Sequence, residues 1–351
     1  MNWALIMAGG AGTRFWPASR LARPKQLLPI QSSKSLIQET VERIQPLIPA
    51  KRMIILTQKK QYKSIRKALP QIPGKNFVVE PVGRNTAPAL GLGAFIVSRR
   101  DPGAVILCTP ADQIILSRKK FLKTVQEGIR AADSGNCHVT FGIPPTRPET
   151  GFGYVERAER MFSRNGISVF KVKRFIEKPD LKRARKFLKS GKFFWNSGIF
   201  VWRATWLLSE LAKYQPVLYR KLEQASRSIR TLQKIYPSVE SISIDYALME
   251  SAKNVRMIPG DFGWSDIGSW SAFEHIWPKD SAKNASPGRL IAVESSGNIV
   301  DGDSKLVALL GVKDLVVISA QDAVLVARKD KVQDVRKVID ILRKQKMEKY
   351  L

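Results

Sequence analysis

Residues 3–14 decide the first part of the fold: Trp3-Ala4-Leu5-Ile6-Met7-Ala8 runs directly into Gly9-Gly10-Ala11-Gly12-Thr13-Arg14. The apolar run is typical of a buried strand. Glycines after a strand let the backbone approach a ligand closely, and consecutive N–H groups in a tight turn form an anion-binding concavity. The stretch therefore predicts either a phosphate loop or a simple turn that follows a strand.

Beyond this loop, strand and helix patterns alternate along the first part of the chain. Strands are expected at 52–57, 77–80 and 105–109, and helices from Ser35 and over 62–69 and 87–97. This alternation predicts βαβ units in a doubly wound, mixed and mainly parallel α/β sheet that is Rossmann-like. Ligands of such sheets bind beyond the carboxyl ends of the strands, so the segments that follow strands are the candidate sites.

The pattern changes after Pro278, where Pro287-Gly288, Gly297-Asn298 and Gly302 separate short apolar runs. These runs predict strands over 290–293, 306–310, 315–318 and 324–326, followed by an amphipathic helix over 331–342. We therefore expect a catalytic domain over residues 1–280 and a small C-terminal β-rich domain over 281–351. The C-terminal unit is also the expected element for a homodimer.

Charge is the unusual feature of the composition: 59 Lys and Arg against 30 Asp and Glu give a net charge of +29 over 351 residues. Such a balance is compatible with nucleic-acid binding. The cations are scattered, however, and the chain carries no RNA-binding or zinc-finger motif. We therefore interpret the charge as a solvated basic surface and expect no nucleic-acid partner.

Cysteine and histidine are scarce, with two residues of each type. Cys108 and Cys137 exclude a disulfide framework and a four-cysteine zinc site within this chain. The apolar run 3–8 is too short for a membrane span and lacks the features of a signal peptide. The expectation is a cytoplasmic enzyme with no membrane partner.

Two cations accompany the glycine loop, Arg14 within it and Lys25 after Pro24. A triphosphate carries about four negative charges, and charge-assisted contacts from Arg and Lys help to balance them. The loop is neither a dinucleotide fingerprint, because Phe15 replaces the third glycine, nor a Walker loop, because no Gly-Lys-Ser/Thr follows.

Seven motifs in order resemble those of sugar-nucleotide pyrophosphorylases. The first is the glycine loop, and its continuation Phe15-Trp16-Pro17-Ala18-Ser19-Arg20 resembles the version found in mannose-1-phosphate guanylyltransferases. The other six motifs lie at 80–88, 110–112, 148–154, 175–179, 195–198 and 263–270. The resemblance implies a GT-A-like nucleotidyltransferase fold and the transfer of GMP from GTP to mannose 1-phosphate, with release of pyrophosphate.

The resemblance further implies a catalytic set of Arg14, Lys25, Asp112 and Asp266, with the two aspartates as Mg²⁺ ligands. Hard cations prefer carboxylate oxygens, and Asp112 follows a predicted strand. The alternative is that either aspartate caps a nearby helix. Gln113 stands where the family commonly has histidine, which leaves the metal ligand in place but puts a role for the imidazole in doubt.

Nucleotide binding is expected from the loop and from the motif at 80–88. Glu80 is a candidate for the guanine N1–H and N2–H₂ donors, because one carboxylate accepts from both. Asn85 and backbone amides are alternative base readers, and Asn85 is also a candidate helix cap. The expected nucleotide-binding residues are Gly9, Gly10, Gly12, Thr13, Glu80, Asn85 and Thr86.

Sugar-phosphate binding is implied by the resemblance alone. Glu177 would accept hydrogen bonds from sugar hydroxyls, and Lys178 would bind the phosphate. Asn196 would contact the sugar, and Gly153 would leave room for a backbone contact. The alternatives to the whole assignment are a transferase for another sugar or nucleotide, an inactive subunit of the same fold, and a nucleic-acid-binding protein.

Overall fold

The computed structural model describes residues 1–10 and 12–351. The strands are β1 (Asn2–Ala8), β2 (Met53–Gln58), β3 (Phe77–Glu80), β4 (Val105–Pro110), β5 (Ile114–Ile115), β6 (His138–Ile143), β7 (Tyr154–Arg164), β8 (Ile167–Ile176), β9 (Phe193–Arg203), β10 (Val255–Pro259), β11 (Trp264–Ser265), β12 (Leu290–Val293), β13 (Ile299–Asp301), β14 (Val307–Leu310), β15 (Leu315–Ser319) and β16 (Val324–Arg328). The α-helices are α1 (Leu36–Ile44), α2 (Lys59–Ala68), α3 (Thr86–Arg100), α4 (Arg118–Asp133), α5 (Leu181–Ser190), α6 (Ala204–Tyr214), α7 (Pro216–Ala225), α8 (Ile229–Ile235) and α9 (Val335–Lys344).

A nine-stranded sheet dominates the fold, with the strand order β3-β2-β1-β4-β9-β6-β10-β8-β7. β1 pairs in parallel with β2 and with β4, and β6 pairs in parallel with β10. β9 is antiparallel to β4, β6 and β7, and β8 is antiparallel to β7 and β10. Seven strands therefore share one direction, which β8 and β9 oppose. The predicted mixed, mainly parallel α/β sheet is confirmed.

Contacts divide the chain into two compact units, each assembled from separate stretches. The large unit comprises Met1–Gly9, Gln38–Ala111 and Ile115–Trp264. Its core combines strand residues such as Leu5 and Ile106 with residues of α3, α6 and α7, because the central strands are apolar on both faces. The small unit comprises Gly10–Ile37, Asp112–Ile114 and Ser265–Leu351.

The C-terminal strands of the small unit stack as successive turns of the chain. Leu290 on β12 pairs in parallel with Val307 on β14, and Ile299 on β13 pairs in parallel with Val316 on β15. Both pairings join residues 17 positions apart. Such a constant offset between parallel pairs indicates coils of one length stacked on each other. This is the predicted small β-rich unit.

Buried amides fix the register of these coils. Asn298 is fully buried, and its Nδ2 donates to Oδ1 of Asn284 over 2.8 Å. Oδ1 of Asn298 accepts from the backbone N–H of Leu315 over 2.9 Å. A buried amide without partners would cost free energy, so these bonds favour one alignment of the turns.

The core of the small unit mixes residues from both ends of the sequence. Phe15 and Trp16 pack in one cluster with Trp270 and Phe273, and with Ile339 of α9. Residues just after the glycine loop therefore belong to the same core as the C-terminal helix. The domain boundary after residue 280 stays a prediction, since residues on both sides of it form this compact unit.

Part of the C-terminal unit presents apolar side chains to solvent. Ile291 and Val293 on β12 are about half exposed, and Leu310 on β14 is 75% exposed. The homodimer expected through this unit stays a prediction. Among the described residues, 1–10 and 12–351, no helix has the length and apolar character required to cross a bilayer.

Candidate active site

The glycine loop follows β1 and lies in part against Lys25. Ala11 is outside the described residues, so the loop is seen from Gly9 to Gly10 and again from Gly12. Gly12 has φ of 62°, and a Cβ built there would lie 2.4 Å from Cβ of Lys25. Both the left-handed backbone and this close approach require glycine. Gly12 therefore lies directly against Lys25 in the small unit.

Lys25 is the centre of a polar group in the small unit. Its side chain is buried, and Nζ donates to Oδ2 of Asp112 over 3.0 Å and to the backbone carbonyl of Asp266 over 2.5 Å. Nζ also lies 5.3 Å from the ring centroid of Phe15. A buried ammonium group requires such partners, since its desolvation is costly. We call Lys25, Asp112 and Asp266 the lysine cluster.

The two aspartates of the lysine cluster come from distant positions in the chain. The Asp112 side chain is 40% exposed, so a ligand has access to its carboxylate. Asp266 lies in a turn where Ile267 has φ of 45°, and Nη1 of Arg14 donates to the carbonyl of Gly268 over 3.2 Å. The structure thus brings together all four residues of the expected catalytic set, whose roles stay predictions.

The lysine cluster offers oxygen ligands for a cation but not a complete set. Within the part of the chain that the structure describes, no group of three or more His, Cys, Asp and Glu side chains is arranged to hold a metal ion. Mg²⁺ prefers hard oxygen ligands, and Asp112 and Asp266 carry carboxylates of that kind, so the residue types fit an ion that takes its other ligands from substrate phosphates and water.

Glu80, at the end of β3, is buried in the large unit. The Tyr236 hydroxyl donates a hydrogen bond to its Oε1, and a Cβ built at Gly9 would lie 3.5 Å from its Oε2. Burial raises the pKa of the Glu80 carboxyl to about 7, against which the Tyr236 hydrogen bond acts. Tyr236 is a partner that the sequence did not reveal, since it lies 156 positions away at the start of a short 3₁₀ helix.

Asn85 and Thr86 are engaged at the start of α3. Asn85 has φ of 70°, and its Oδ1 accepts from the backbone N–H of Thr86 over 2.9 Å as the N-cap of the helix. The Thr86 hydroxyl accepts from the backbone N–H of Ile244 over 2.8 Å. Both side chains therefore have structural contacts in the large unit, and their roles in nucleotide binding stay predictions.

The residues expected on the sugar side lie together in the large unit. A Cβ built at Gly153 would lie 2.5 Å from Oε2 of Glu177 and 3.4 Å from Cβ of Asn196. The carbonyl of Gly153 accepts from the backbone N–H of Asn196 over 2.8 Å. A Cβ at position 153 would displace the Glu177 carboxylate from this place, so these three residues form one surface.

Both the oxygen and the nitrogen of the Asn196 side-chain amide have hydrogen-bond partners. The Thr140 hydroxyl donates to Oδ1 over 2.8 Å, and Nδ2 donates to Oδ1 of Asp245 over 3.0 Å. One N–H of the amide is left over for a ligand, since Nδ2 carries two donors. Sequence reasoning missed both Thr140 and Asp245, because neither belongs to the motifs that it considered.

Three acids surround this surface, and we call Glu177, Asp245 and Glu250 the acidic cluster. Glu250 accepts from the backbone N–H of Glu177 over 2.9 Å, and Nζ of Lys178 lies 3.4 Å from Oε1 of Glu177. Burial, followed by the charge of Glu177, raises the pKa of Asp245 to about 7. Burial also raises the pKa of Glu177. The cluster thus favours neutral hydroxyl groups as ligands, with Lys178 as a nearby cation.

The histidine on β6, His138, is buried in the large unit and has no access to solvent. Burial lowers the pKa of its imidazole. Its Nε2 lies 3.6 Å from Oε2 of Glu210. His138 is therefore a core residue of the large unit.

Comparison with known proteins gives two family matches. The family described as "Nucleotidyl transferase" matches residues 3–283, and "MannoseP isomerase/GMP-like beta-helix domain" matches residues 288–342. The first match covers most of the chain. The second one covers the stacked strands described above and α9 as far as residue 342.

Named relatives cover almost the whole chain. Mannose-1-phosphate guanylyltransferase of Salmonella muenchen is 38% identical over 97% of this chain and 73% of its own length. The Klebsiella pneumoniae protein of the same name is 38% identical over 99% of this chain and 75% of its own length.

A solved structure agrees with these relatives. The Thermus thermophilus protein described as mannose-1-phosphate geranyltransferase is 34% identical, with a TM-score of 0.88 over 97% of this chain and 99% of that one. Sequence, fold and motif order thus lead to one conclusion: the chain belongs to the mannose-1-phosphate guanylyltransferase family of nucleotidyltransferase enzymes.

Proposed function

We propose that this enzyme transfers GMP from GTP to α-D-mannose 1-phosphate, giving GDP-mannose and pyrophosphate. The observation that carries the proposal is the contact of one buried ammonium, Nζ of Lys25, with the Asp112 carboxylate and the Asp266 backbone carbonyl next to the glycine loop. The names of the relatives support the choice of GTP and mannose 1-phosphate.

The reaction requires one bond to form and one to break. An oxygen of the sugar phosphate attacks the α-phosphorus of GTP in line, and the bond from that phosphorus to the bridging oxygen of the β-phosphate breaks. Pyrophosphate leaves with the electron pair of that bond. The protein supplies position and charge rather than a covalent intermediate.

Lys25 and Arg14 stabilise the charge that develops on the pyrophosphate. Gly9, Gly10, Gly12 and Thr13 present backbone groups to the phosphates. Asp112 and Asp266 would hold Mg²⁺, which supplies positive charge to the α-phosphate when bound.

We assign the recognition of guanine to Glu80. Asn85 and Thr86, in the same motif, are also assigned to nucleotide binding. The Tyr236 hydroxyl already donates a hydrogen bond to Oε1 of Glu80, so Oε2 is the oxygen that accepts from an N–H group of the base. Inosine triphosphate lacks the 2-amino group of guanine and therefore tests this contact directly.

Recognition of the sugar phosphate is assigned to the acidic cluster and its neighbours. Lys178 binds the phosphate by charge, and Glu177 accepts from sugar hydroxyls. Asn196 donates its remaining N–H, because Thr140 and Asp245 occupy the rest of its amide.

Pyrophosphate release over a panel of nucleoside triphosphates and sugar 1-phosphates tests the proposal. The panel includes GTP, ITP, ATP and UTP with mannose 1-phosphate and glucose 1-phosphate, and the Lys25→Ala variant controls for contaminating activity. We expect GTP with mannose 1-phosphate to exceed every other pair by at least tenfold. A different preferred pair would indicate another sugar nucleotide, and no release from any pair would indicate an inactive member of the family.

A further inference from the structure

The segment that follows the glycine loop is attached to the C-terminal end of the small unit. Nε1 of Trp16 donates to the carbonyl of Tyr350 over 2.8 Å, and the backbone N–H of Leu21 donates to the carbonyl of Leu351 over 3.3 Å. We call residues 335–351 the clasp; it consists of α9 and the short tail after it.

Trp16 makes several contacts in addition to this hydrogen bond. It is 8% exposed and packs in one core cluster with Ile339 and Leu342 of the clasp. Its backbone carbonyl accepts from Nε1 of Trp270 over 3.2 Å. The Arg20 guanidinium lies 5.4 Å from the Trp16 ring centroid.

The same segment also fixes the backbone of the glycine loop. The Ser19 hydroxyl donates to the carbonyl of Gly12 over 2.6 Å, and the backbone N–H of Ser19 donates to the carbonyl of Phe15 over 2.9 Å. Arg20 is itself held by Asp322, whose carboxylate lies 2.8 Å from Nη2. Contacts therefore run without interruption from the clasp through residues 16–20 to Gly12.

A glycine-rich loop loses much conformational freedom when it binds a ligand, and that loss weakens binding. A support that fixes the loop beforehand removes part of this cost, because the binding groups already stand in place. The core of the small unit is able to give such support, since Trp16 is both buried and hydrogen-bonded.

We propose that the clasp is a positioning element for nucleotide binding, and that Trp16 is the residue through which it acts on the glycine loop. The C-terminal unit is then part of the machinery of the reaction and not only an attached domain. This inference rests on the proposed function, because it takes GTP as the ligand of the loop.

The test compares two tryptophans of one core. Trp16 and Trp277 are both 8% exposed and both belong to the core cluster of the small unit, but Nε1 of Trp277 has no hydrogen-bond partner among the described residues. Trp16→Phe and Trp277→Phe therefore remove the same atoms, and only the first removes a bond to the clasp.

Equilibrium binding of GTP, measured by calorimetry without the sugar phosphate, is the readout. We expect Trp16→Phe to weaken GTP binding by up to roughly fivefold, since the free energy of one neutral hydrogen bond sets the upper limit, and Trp277→Phe to change it less than twofold. In steady-state assays Trp16→Phe should raise KM for GTP and leave KM for mannose 1-phosphate unchanged. A purely structural role would lower the melting temperature of both variants without this split.

A chain that ends at Met347 lacks the Tyr350 carbonyl and completes the test. In that chain Trp16→Phe should have no further effect on GTP binding, since the acceptor is already gone. Equal GTP affinities of the wild type, Trp16→Phe and Trp277→Phe overturn the role of the clasp alone. A wild-type protein that binds no GTP overturns the proposed function as well.

Discussion

The lysine cluster of the small unit and the acidic cluster of the large unit differ in the signs of the charged groups that they bring together. In the first, a buried ammonium is placed between Asp112 and the carbonyl of Asp266. In the second, Glu177, Asp245 and Glu250 lie close to one another, with Lys178 as a nearby cation. Charges of opposite sign are paired in one cluster, and charges of one sign are crowded in the other.

This difference indicates which ligand each cluster suits. Paired charges with an exposed carboxylate suit a polyanion and its accompanying cation. Crowded acids with raised pKa values disfavour further negative charge and suit the hydroxyl groups of a sugar.

The largest expected effect is the contribution of Glu80 to the pH dependence of the free energy of unfolding. The pKa of Glu80 is raised to about 7 in the folded protein, so the folded state holds a proton that the unfolded chain releases from about pH 4.5 upward. Stability from this group is therefore present at low pH and lost as pH rises towards 7, by up to about 3 kcal/mol. Urea unfolding of the wild type and Glu80→Gln between pH 5 and pH 8 measures it, with the wild type losing more; parallel curves would refute the shift.

Lys25→Ala should lower kcat roughly 100-fold, because it removes a preorganised charge from the phosphates in the transition state. Lys178→Ala is the matched variant in the large unit and should mainly raise KM for mannose 1-phosphate. Steady-state kinetics with each substrate varied in turn separates the two. An effect of Lys25→Ala on KM alone would contradict its assignment to the transition state.

Asp112→Asn and Asp266→Asn should each lower kcat at least tenfold at saturating Mg²⁺, since an amide is a weaker ligand for a hard cation than a carboxylate. The melting temperature of Asp266→Asn should stay close to that of the wild type, because Lys25 contacts the backbone carbonyl of Asp266, whereas Asp112→Asn weakens the ion pair with the buried ammonium and should lower it. Asp261→Asn is the control, because Asp261 also pairs with a lysine, Lys120 at 2.8 Å, but on the surface. Similar rates for all three variants would remove the distinction between the lysine cluster and an ordinary ion pair.

Glu177→Gln should raise KM for mannose 1-phosphate about fivefold and leave KM for GTP unchanged, since it weakens acceptors for sugar hydroxyls. Glu159→Gln serves as the control, because Glu159 pairs with Lys171 at an exposed position. An increase in KM for GTP of the same size would show that the two clusters do not divide the substrates.

The first part of the fold was predictable because parallel buried strands have continuous apolar runs. The strand expected over 77–80 is β3 as observed, while the helix expected from residue 62 already begins at Lys59. Lys59 and Lys60 oppose the helix dipole at that N-terminus, so the local sequence gives no favourable start signal there. The helix expected over 331–342 is a 3₁₀ turn followed by α9 from Val335.

The middle of the large sheet was less accessible to sequence reasoning. β7 runs from Tyr154 to Arg164, but most of its residues are exposed, and charged residues interrupt the apolar ones, so no apolar run marks it. β10 is only five residues long and pairs with β6 far away in sequence. Its place in the sheet is set by tertiary packing rather than by local pattern.

Site residues that belong to a sequence motif were predictable. Residues that reach the site only through tertiary hydrogen bonds were not. Lys25 and Asp266, 241 positions apart, were both expected and are brought together. Tyr236, Thr140 and Asp245 act through hydrogen bonds to Glu80 and Asn196, and nothing in their local sequence reveals these partners. Such supporting residues become visible only when the fold brings them to the site.

Cation uptake tests the central claim, that the lysine cluster holds the phosphates and their metal. Electron paramagnetic resonance of Mn²⁺, used in place of Mg²⁺, reports the free ion in the presence of GTP and the enzyme. Relative to the wild type, Asp112→Asn and Asp266→Asn should each weaken Mn²⁺ binding by about tenfold, whereas Glu177→Gln should leave it unchanged. Wild-type affinity in both aspartate variants would contradict the account.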